Sequence, residues 1–129
     1  MNNNISKKLE TSFEQAVDRV TEALKAEGFG VLTEINIHEK LKEKLNVDFR
    51  RYRILGACNP AYAYKALQAE DKIGAMLPCN VIVQELENNV IEVAAVDPIA
   101  SMMAIENPDL AGIAEEIKGK LERVIFSLK

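Results

Sequence analysis

The two cysteines are the most reactive side chains of this chain, and each lies where an apolar stretch meets a turn. Cys58 belongs to the segment Gly56–Pro60 and Cys79 to the segment Leu77–Val81, and an asparagine follows each thiol. A thiolate can act as a nucleophile, as a redox centre or as a soft metal ligand. If the strands that carry the two residues are neighbours, the two sulfur atoms can approach each other.

The setting of Cys58 allows two further interpretations. Asn59-Pro60, which follows it, is typical of a helix start, and the positive end of a helix favours a nearby thiolate. A thiol-dependent enzyme with Cys58 as nucleophile is therefore one alternative. The other is a purely structural or protein-interaction module, because free cysteines are among the most often buried residues. We do not expect autonomous enzymatic turnover.

Other residues that could do chemistry are few. His38 is the only histidine, so the four ligands of a zinc site, or three and a water, are hard to assemble, and no metal or cofactor is identified. Arg50, Arg51 and Arg53 form the one basic concentration, but neighbouring acids interrupt it, which favours a solvated strand edge over an anion site. Asp97-Pro98 precedes Met102 in an apolar segment that can line a pocket, cover a partner or fold onto its own core.

Length and charge restrict the class of protein. The 129 residues predict a single domain over residues 1–129. The net charge of −4 argues against a nucleic-acid binder. The sequence has no apolar run of transmembrane length, and its first segment, Met1–Lys8, lacks the apolar core of a signal peptide. We therefore expect a cytoplasmic protein without a membrane partner, in which cysteines stay reduced.

The apolar periodicity predicts five strands and three helices in the order β-α-β-β-α-β-β-α. The strands cover residues 5–10, 29–37, 49–58, 79–86 and 90–96. The first helix begins after Thr11 or Ser12 and ends at Gly28. The second begins at Asn59-Pro60 and runs for about ten residues. The third begins at Asn107-Pro108 and has an apolar stripe that ends at Leu128. Residues 38–45 fit helical turns or a flexible loop, and residues 73–78 an apolar loop. The short connections imply an α+β fold with a mainly antiparallel sheet and helices on one face.

These segments together resemble a bacterial and archaeal family of proteins, the domain of unknown function DUF302, over nearly the whole chain. The resemblance is carried by Gly28–Leu32, Phe49–Pro60, Leu77–Val81, Asp97-Pro98 and Met102-Met103. It implies a fold similar to the TATA-binding-protein-like class and a homodimer, but no activity. Where the family pattern has glycine, this chain has Asn46, which could adopt the left-handed conformation that ends a helical turn.

The family motifs correspond here to Cys58, Asn59, Cys79, Asn80 and Asp97, which we take as the candidate ligand or thiol site. In the leading interpretation the chain is a small cytoplasmic homodimer that binds a small ligand or metal, or senses redox state, through this region. The thiols contact the ligand, the two asparagines orient the turns, and the Met102 segment is a lid or a dimer contact. We expect a dimer because the apolar stripe of the last helix and this segment exceed what one core can cover.

Overall fold

The computed structural model describes residues 4–129, and the side chain of Asn4 is left out of the description. The interpretation of Met1–Lys8 therefore falls partly on residues outside this range. The strands are β1 (Asn4–Glu10), β2 (Gly30–Asn36), β3 (Tyr52–Cys58), β4 (Cys79–Glu85) and β5 (Val90–Val96). The helices are α1 (Phe13–Ala26), α2 (Ile37–Leu45), α3 (Pro60–Ala69), α4 (Pro98–Met102) and α5 (Leu110–Phe126), with short 3-10 helices at Asp71–Met76 and Glu87–Asn89.

The five strands form one sheet in the order β1-β5-β4-β3-β2, and every neighbouring pair is antiparallel. Side chains alternate between its faces, so that Leu55, Val81 and Val93 are completely buried under the helices. On the other face Ile54 and Ile82 are half-buried. The predicted α+β class, with an antiparallel sheet and helices on one face, is confirmed, and β4 and β5 are inner strands of the sheet.

Helix α1 begins and ends where its sequence predicts. Ser12 is the N-cap, and its hydroxyl accepts a hydrogen bond from the backbone N–H of Gln15 at 3.2 Å, which satisfies one free donor of the first turn. Gly28 follows the helix with φ of +86°, a conformation that glycine adopts without steric cost. Asn46 ends α2 with φ of 53°, which explains why glycine is the residue expected at that position.

Several predicted boundaries differ from the structure. Strand β3 begins at Tyr52 rather than at residue 49, because its ladder to β4 begins at Tyr52 and its ladder to β2 at Arg53. Residues 37–45 form a helix and not a flexible loop. The segment predicted as an apolar loop, residues 73–78, overlaps the 3-10 helix Asp71–Met76. Asp97-Pro98 ends β5 as predicted, but it also begins the short helix α4, which the irregular pattern of residues 99–106 did not indicate.

The start of α5 was predicted at the wrong residue. Its N-cap is Asp109, not Asn107. The Asn107 side chain instead accepts a hydrogen bond from the Asp109 N–H at 3.0 Å and donates one to the Ala69 carbonyl at 2.8 Å, so it joins the end of α3 to the α5 entry.

The reason given for expecting a dimer is also wrong. The α5 stripe is buried within the single chain, with Ala114, Ile117, Leu121 and Ile125 at most 3% exposed. Met102 is 1% exposed and belongs to the same core. Any dimer surface must therefore lie elsewhere. Among the helices of residues 4–129, none is both long and apolar enough to cross a lipid bilayer.

Candidate functional site

The two thiols lie at one end of the sheet, on adjacent strands. In the β3–β4 ladder Ala57 is directly opposite Cys79, so Cys58 is one position further along. Strict alternation would place the two cysteine side chains on opposite faces of the sheet. Cys58 is the last residue of its strand, however, where the chain turns into α3, and both cysteines line the same cavity. The structure thus brings together the pair that the sequence predicted.

This cavity, which we call the thiol cavity, has a volume of about 20 Å³. Its walls come from β3, β4, α3, α4, α5 and the turns between them: Phe29, Ala57, Cys58, Asn59, Ala63, Leu77, Pro78, Cys79, Met102 and Ile117. A space of this size holds one water-sized occupant, whereas pockets for organic ligands measure roughly 300–1,000 Å³. The cavity therefore suits a single ion or atom rather than a metabolite.

The two thiols differ in their environment. Cys79 is 6% exposed, and Cys58 is half-buried. Burial, with a smaller contribution from the charge of Cys58, raises the pKa of the Cys79 thiol to about 11. Cys79 is therefore a protonated and slow nucleophile near neutral pH, and Cys58 is the thiol that a reagent reaches first.

Asn59 fixes the turn that carries Cys58. It is the N-cap of α3, but its side chain makes no capping bond. Its amide instead donates to the Glu27 carbonyl at 3.2 Å, and it packs against Gly28, where a Cβ atom would lie 3.0 Å from the amide nitrogen. The predicted orienting role agrees with this contact, although the bond joins the turn to the end of α1 and does not cap α3.

Asn80 and Asp97 do not line the cavity. Asn80 is exposed, on the face of the sheet opposite the Cys79 side chain. Asp97 is the N-cap of α4 and accepts from the Ile99 N–H at 2.9 Å, and its other oxygen lies 3.1 Å from the Lys118 ammonium on α5. Asp97 therefore holds α4, and with it Met102, against α5.

The residues of the cavity that the sequence did not assign are apolar. Phe29, Ile117 and Ala63 could be recognised as core positions from their periodicity, but nothing in the sequence indicates that they face the thiols. Met102 did carry a signal, because an apolar methionine segment after a strand can line a pocket. Its side chain lines the cavity as part of the chain's own core, so neither a lid nor a dimer contact is needed to explain it.

Gly56 allows the strands to close beside this site. A Cβ atom there would lie 2.2 Å from the Thr33 Oγ1 and 2.9 Å from the Pro78 Cγ. The Leu77-Pro78 peptide bond is cis. Glycine is thus required where Thr33 and Pro78 approach the β3 backbone from either side.

The remaining chemistry-bearing residues lie at the opposite end of β3. His38 is half-buried rather than exposed, and its Nδ1 accepts a hydrogen bond from the Tyr52 N–H at 3.0 Å. Arg51 and Arg53 bind the Glu14 carboxylate at 2.8 and 3.4 Å, and both guanidinium groups lie over the Phe13 ring. The arginines are engaged within the chain. The predicted strand edge is wrong, because β3 lies between β4 and β2 in the sheet.

Within residues 4–129, no group of three or more histidine, cysteine, aspartate or glutamate side chains is placed to hold a metal ion. A metal at the thiol cavity would therefore need a donor of another type beside the two cysteines.

A five-stranded antiparallel sheet, helices on one face and two thiols at one sheet end define a class of small α+β proteins. The family model described as "Domain of unknown function DUF302" matches residues 5–128, so this chain belongs to the DUF302 family. The crystal structure of an uncharacterized conserved DUF302 protein from Bacillus stearothermophilus has 30% sequence identity and a TM-score of 0.92, with all of both chains covered. No curated protein matches the chain.

Proposed function

We propose that this protein is a small homodimeric binding module whose Cys58–Cys79 pair takes up a single metal ion. The observation that carries the proposal is that Cys58 and Cys79 line one cavity of about 20 Å³. Two thiolates at one point form a soft donor set. The small volume argues against an organic ligand, and the high pKa of Cys79, about 11, argues against an enzyme that uses this thiol as nucleophile.

The test is native mass spectrometry of protein purified without chelator and then titrated with zinc, copper(I) and silver(I) salts. We expect one ion per chain, lost when both thiols are alkylated and lost in Cys58→Ser and Cys79→Ser. The matched control is Asn80→Ser, because Asn80 neighbours Cys79 in sequence but is exposed and outside the cavity. Binding that is identical in the serine variants and the wild type would refute the proposal.

A second candidate function, redox sensing, is favoured by the pairing of a half-buried thiol with a buried one. In such a step a hydroperoxide transfers one oxygen to the Cys58 sulfur and leaves as an alcohol. The Cys79 sulfur then attacks the sulfenic acid, a disulfide forms and water leaves, so the two sulfurs supply two electrons. Treatment with one equivalent of peroxide should remove two hydrogen masses from wild type and give a stable sulfenic acid in Cys79→Ser. A wild-type mass unchanged by peroxide would exclude this function.

The homodimer is proposed through the face of the sheet that the helices leave uncovered. The ladders align Ile35, Ile54, Ile82 and Ala94 into one apolar row across four strands on this face. We call it the isoleucine row. Ile35 is 42% exposed, and Ile54 and Ile82 are half-buried. An apolar row on one face can match its own copy across a two-fold axis, as a homodimer interface requires.

Sedimentation velocity over a micromolar concentration range tests this interface. We expect a dimer for wild type and a monomer for Ile82→Lys. Phe126→Lys is the matched control, because Phe126 is a 58% exposed apolar residue at the end of α5, away from the isoleucine row. A wild-type monomer throughout the range would refute the dimer, and a dimer that Ile82→Lys leaves intact would refute this interface.

We also propose that the protein works in the cytoplasm. The support is that both cysteines are free in the structure, since adjacent thiols stay reduced in that compartment. Fractionation of cells that express the chain, with thiol trapping during lysis, tests this. Recovery of the protein from an oxidising compartment would contradict the proposal.

A further inference from the structure

A third sulfur-containing residue lines the thiol cavity. Met102 is the last residue of α4, is 1% exposed, and borders the cavity together with Cys58 and Cys79. The three residues come from three different elements, and the remaining wall is apolar apart from Asn59. The Asn59 amide is already directed at the Glu27 carbonyl. The cavity is therefore a small space lined by three sulfur-containing residues, with a wall that is otherwise apolar except for Asn59.

The donor set selects among metals. Zinc prefers four-coordinate sites of thiolate, imidazole and carboxylate, and the cavity wall contains neither of the last two. Combinations of thiolate and thioether are instead typical of copper(I).

We propose that Cys58, Cys79 and Met102 form a three-sulfur site for copper(I). The inference rests on the proposed function of the thiol pair and adds the identity of the ion and the third ligand. On binding, the two S–H bonds break and two Cu–S bonds form, while both protons pass to solvent. The Met102 thioether donates a lone pair without losing a proton, and copper remains in the +1 state throughout.

Asp97 is the positioning residue for the third ligand. It begins α4, its carboxylate holds the Ile99 N–H at 2.9 Å, and it pairs with Lys118 at 3.1 Å. The helix that starts at Asp97 ends at Met102, so these two contacts fix the thioether relative to α5. This gives Asp97 a connection to the site although its own side chain does not reach the cavity.

The experiment is a competition titration under nitrogen, in which the protein takes copper(I) from its bicinchoninate complex. The key variant is Met102→Leu, because leucine keeps the apolar volume and the fold but removes the sulfur. The matched control is Met103→Leu, since Met103 is the next residue and is 45% exposed. Circular dichroism shows that each variant is folded, and X-ray absorption at the copper edge counts the sulfur neighbours.

We expect one copper(I) per wild-type chain with three sulfur neighbours, and a loss of at least about tenfold in affinity for Met102→Leu. Asp97→Asn should weaken affinity less, and Met103→Leu should not change it. Equal affinity of Met102→Leu and wild type overturns the third ligand, and stronger competition by zinc than by copper(I) overturns the ion. The thiol-pair function survives both of these results and fails only if the cysteine-to-serine variants bind metal like the wild type.

Discussion

The two ends of strand β3 carry the chemistry-bearing residues of the molecule in opposite environments. At the end near Tyr52, which we call the arginine end, Arg51 and Arg53 share the exposed Glu14 carboxylate. At the other end, which we call the thiol end, Cys58 and Cys79 border a small cavity with mostly apolar walls. The first group is charged, paired and open to water, and the second is uncharged and enclosed.

This difference shows where unused binding capacity lies. The charges of the arginine end already have partners within the chain, and water screens what remains of their field. At the thiol end the sulfur atoms have no hydrogen bonds as strong as those ion pairs. An ion that enters the cavity therefore breaks few existing contacts. A sequence search for charge clusters would point to the arginine end, whereas the structure makes the thiol end the better candidate site.

The largest effect should come from filling the space that Gly56 keeps open at the thiol end. Gly56→Ala would place a methyl group 2.2 Å from the Thr33 Oγ1, and overpacking of this kind costs about 3 kcal/mol. Gly30→Ala is the control, because a Cβ atom at Gly30 meets nothing within 4 Å. Urea denaturation measures both free energies of unfolding, and equal values would mean that the thiol end is loosely packed.

The Cys79 thiol should make the metal-free protein sensitive to alkaline pH. Its pKa is raised from 9.0 to about 11 in the folded chain, so the unfolded chain loses the proton first. The stabilisation is fully present below about pH 9 and is lost as the pH rises towards 11, a change of about 2–3 kcal/mol at about 1.4 kcal/mol per pK unit.

Unfolding by urea at pH 8 and pH 11 separates this effect from other titrations. Cys79→Ala should show a smaller fall in the free energy of unfolding than wild type over that interval. Cys58→Ala should show most of the wild-type decrease in the free energy of unfolding. The reason is that burial is the main cause of the raised Cys79 pKa and Cys58 the lesser one. An identical pH dependence in wild type and Cys79→Ala would show that the thiol is not desolvated.

A smaller effect is expected where Asn59 joins the thiol end to the end of α1. Asn59→Ala removes the hydrogen bond to the Glu27 carbonyl and should cost about 1 kcal/mol. Asn80→Ala is the control at the exposed asparagine of the second motif. If the two variants are equally stable in thermal unfolding, the Asn59 contact does not position the turn.

The smallest effect should occur at the arginine end. Glu14→Gln weakens both ion pairs of the exposed carboxylate, and the expected cost is below about 1 kcal/mol. Glu115→Gln, at an exposed position of α5, is the control for charge removal alone. The difference in stability between the two variants should shrink in 1 M salt. A loss of stability in Glu14→Gln that salt does not change, and that exceeds the loss in Gly56→Ala, would reverse the comparison.

The sequence was sufficient for those parts of the fold that depend on local patterns. Ser12 and Gly28 mark the ends of α1 because capping and left-handed turns are decided within a few residues. The start of α5 was misplaced because the Asn107 side chain bonds to Ala69, a contact made far along the chain. Local patterns do not contain that information.

The candidate site was also predictable only in part, because local patterns do not contain the contacts between distant parts of the chain. Cys58, Cys79 and Met102 could be selected as reactive or adaptable side chains, but strict alternation would separate the two cysteines. The end of β3 at Cys58 brings them together, and this depends on where pairing with its neighbours stops. Asn80 and Asp97 were selected by motif alone, and tertiary structure places them outside the cavity.

The pairing of β1 with β5 has a consequence for synthesis of the chain. β1 leaves the ribosome before the other four strands of its sheet, and its hydrogen-bonding partner is Val90–Val96. Until almost the whole sheet has been translated, β1 has neither the strand nor the α5 core that it will join. Contacts between such distant residues form slowly, so a nascent chain stalled before β5 should remain open to proteases.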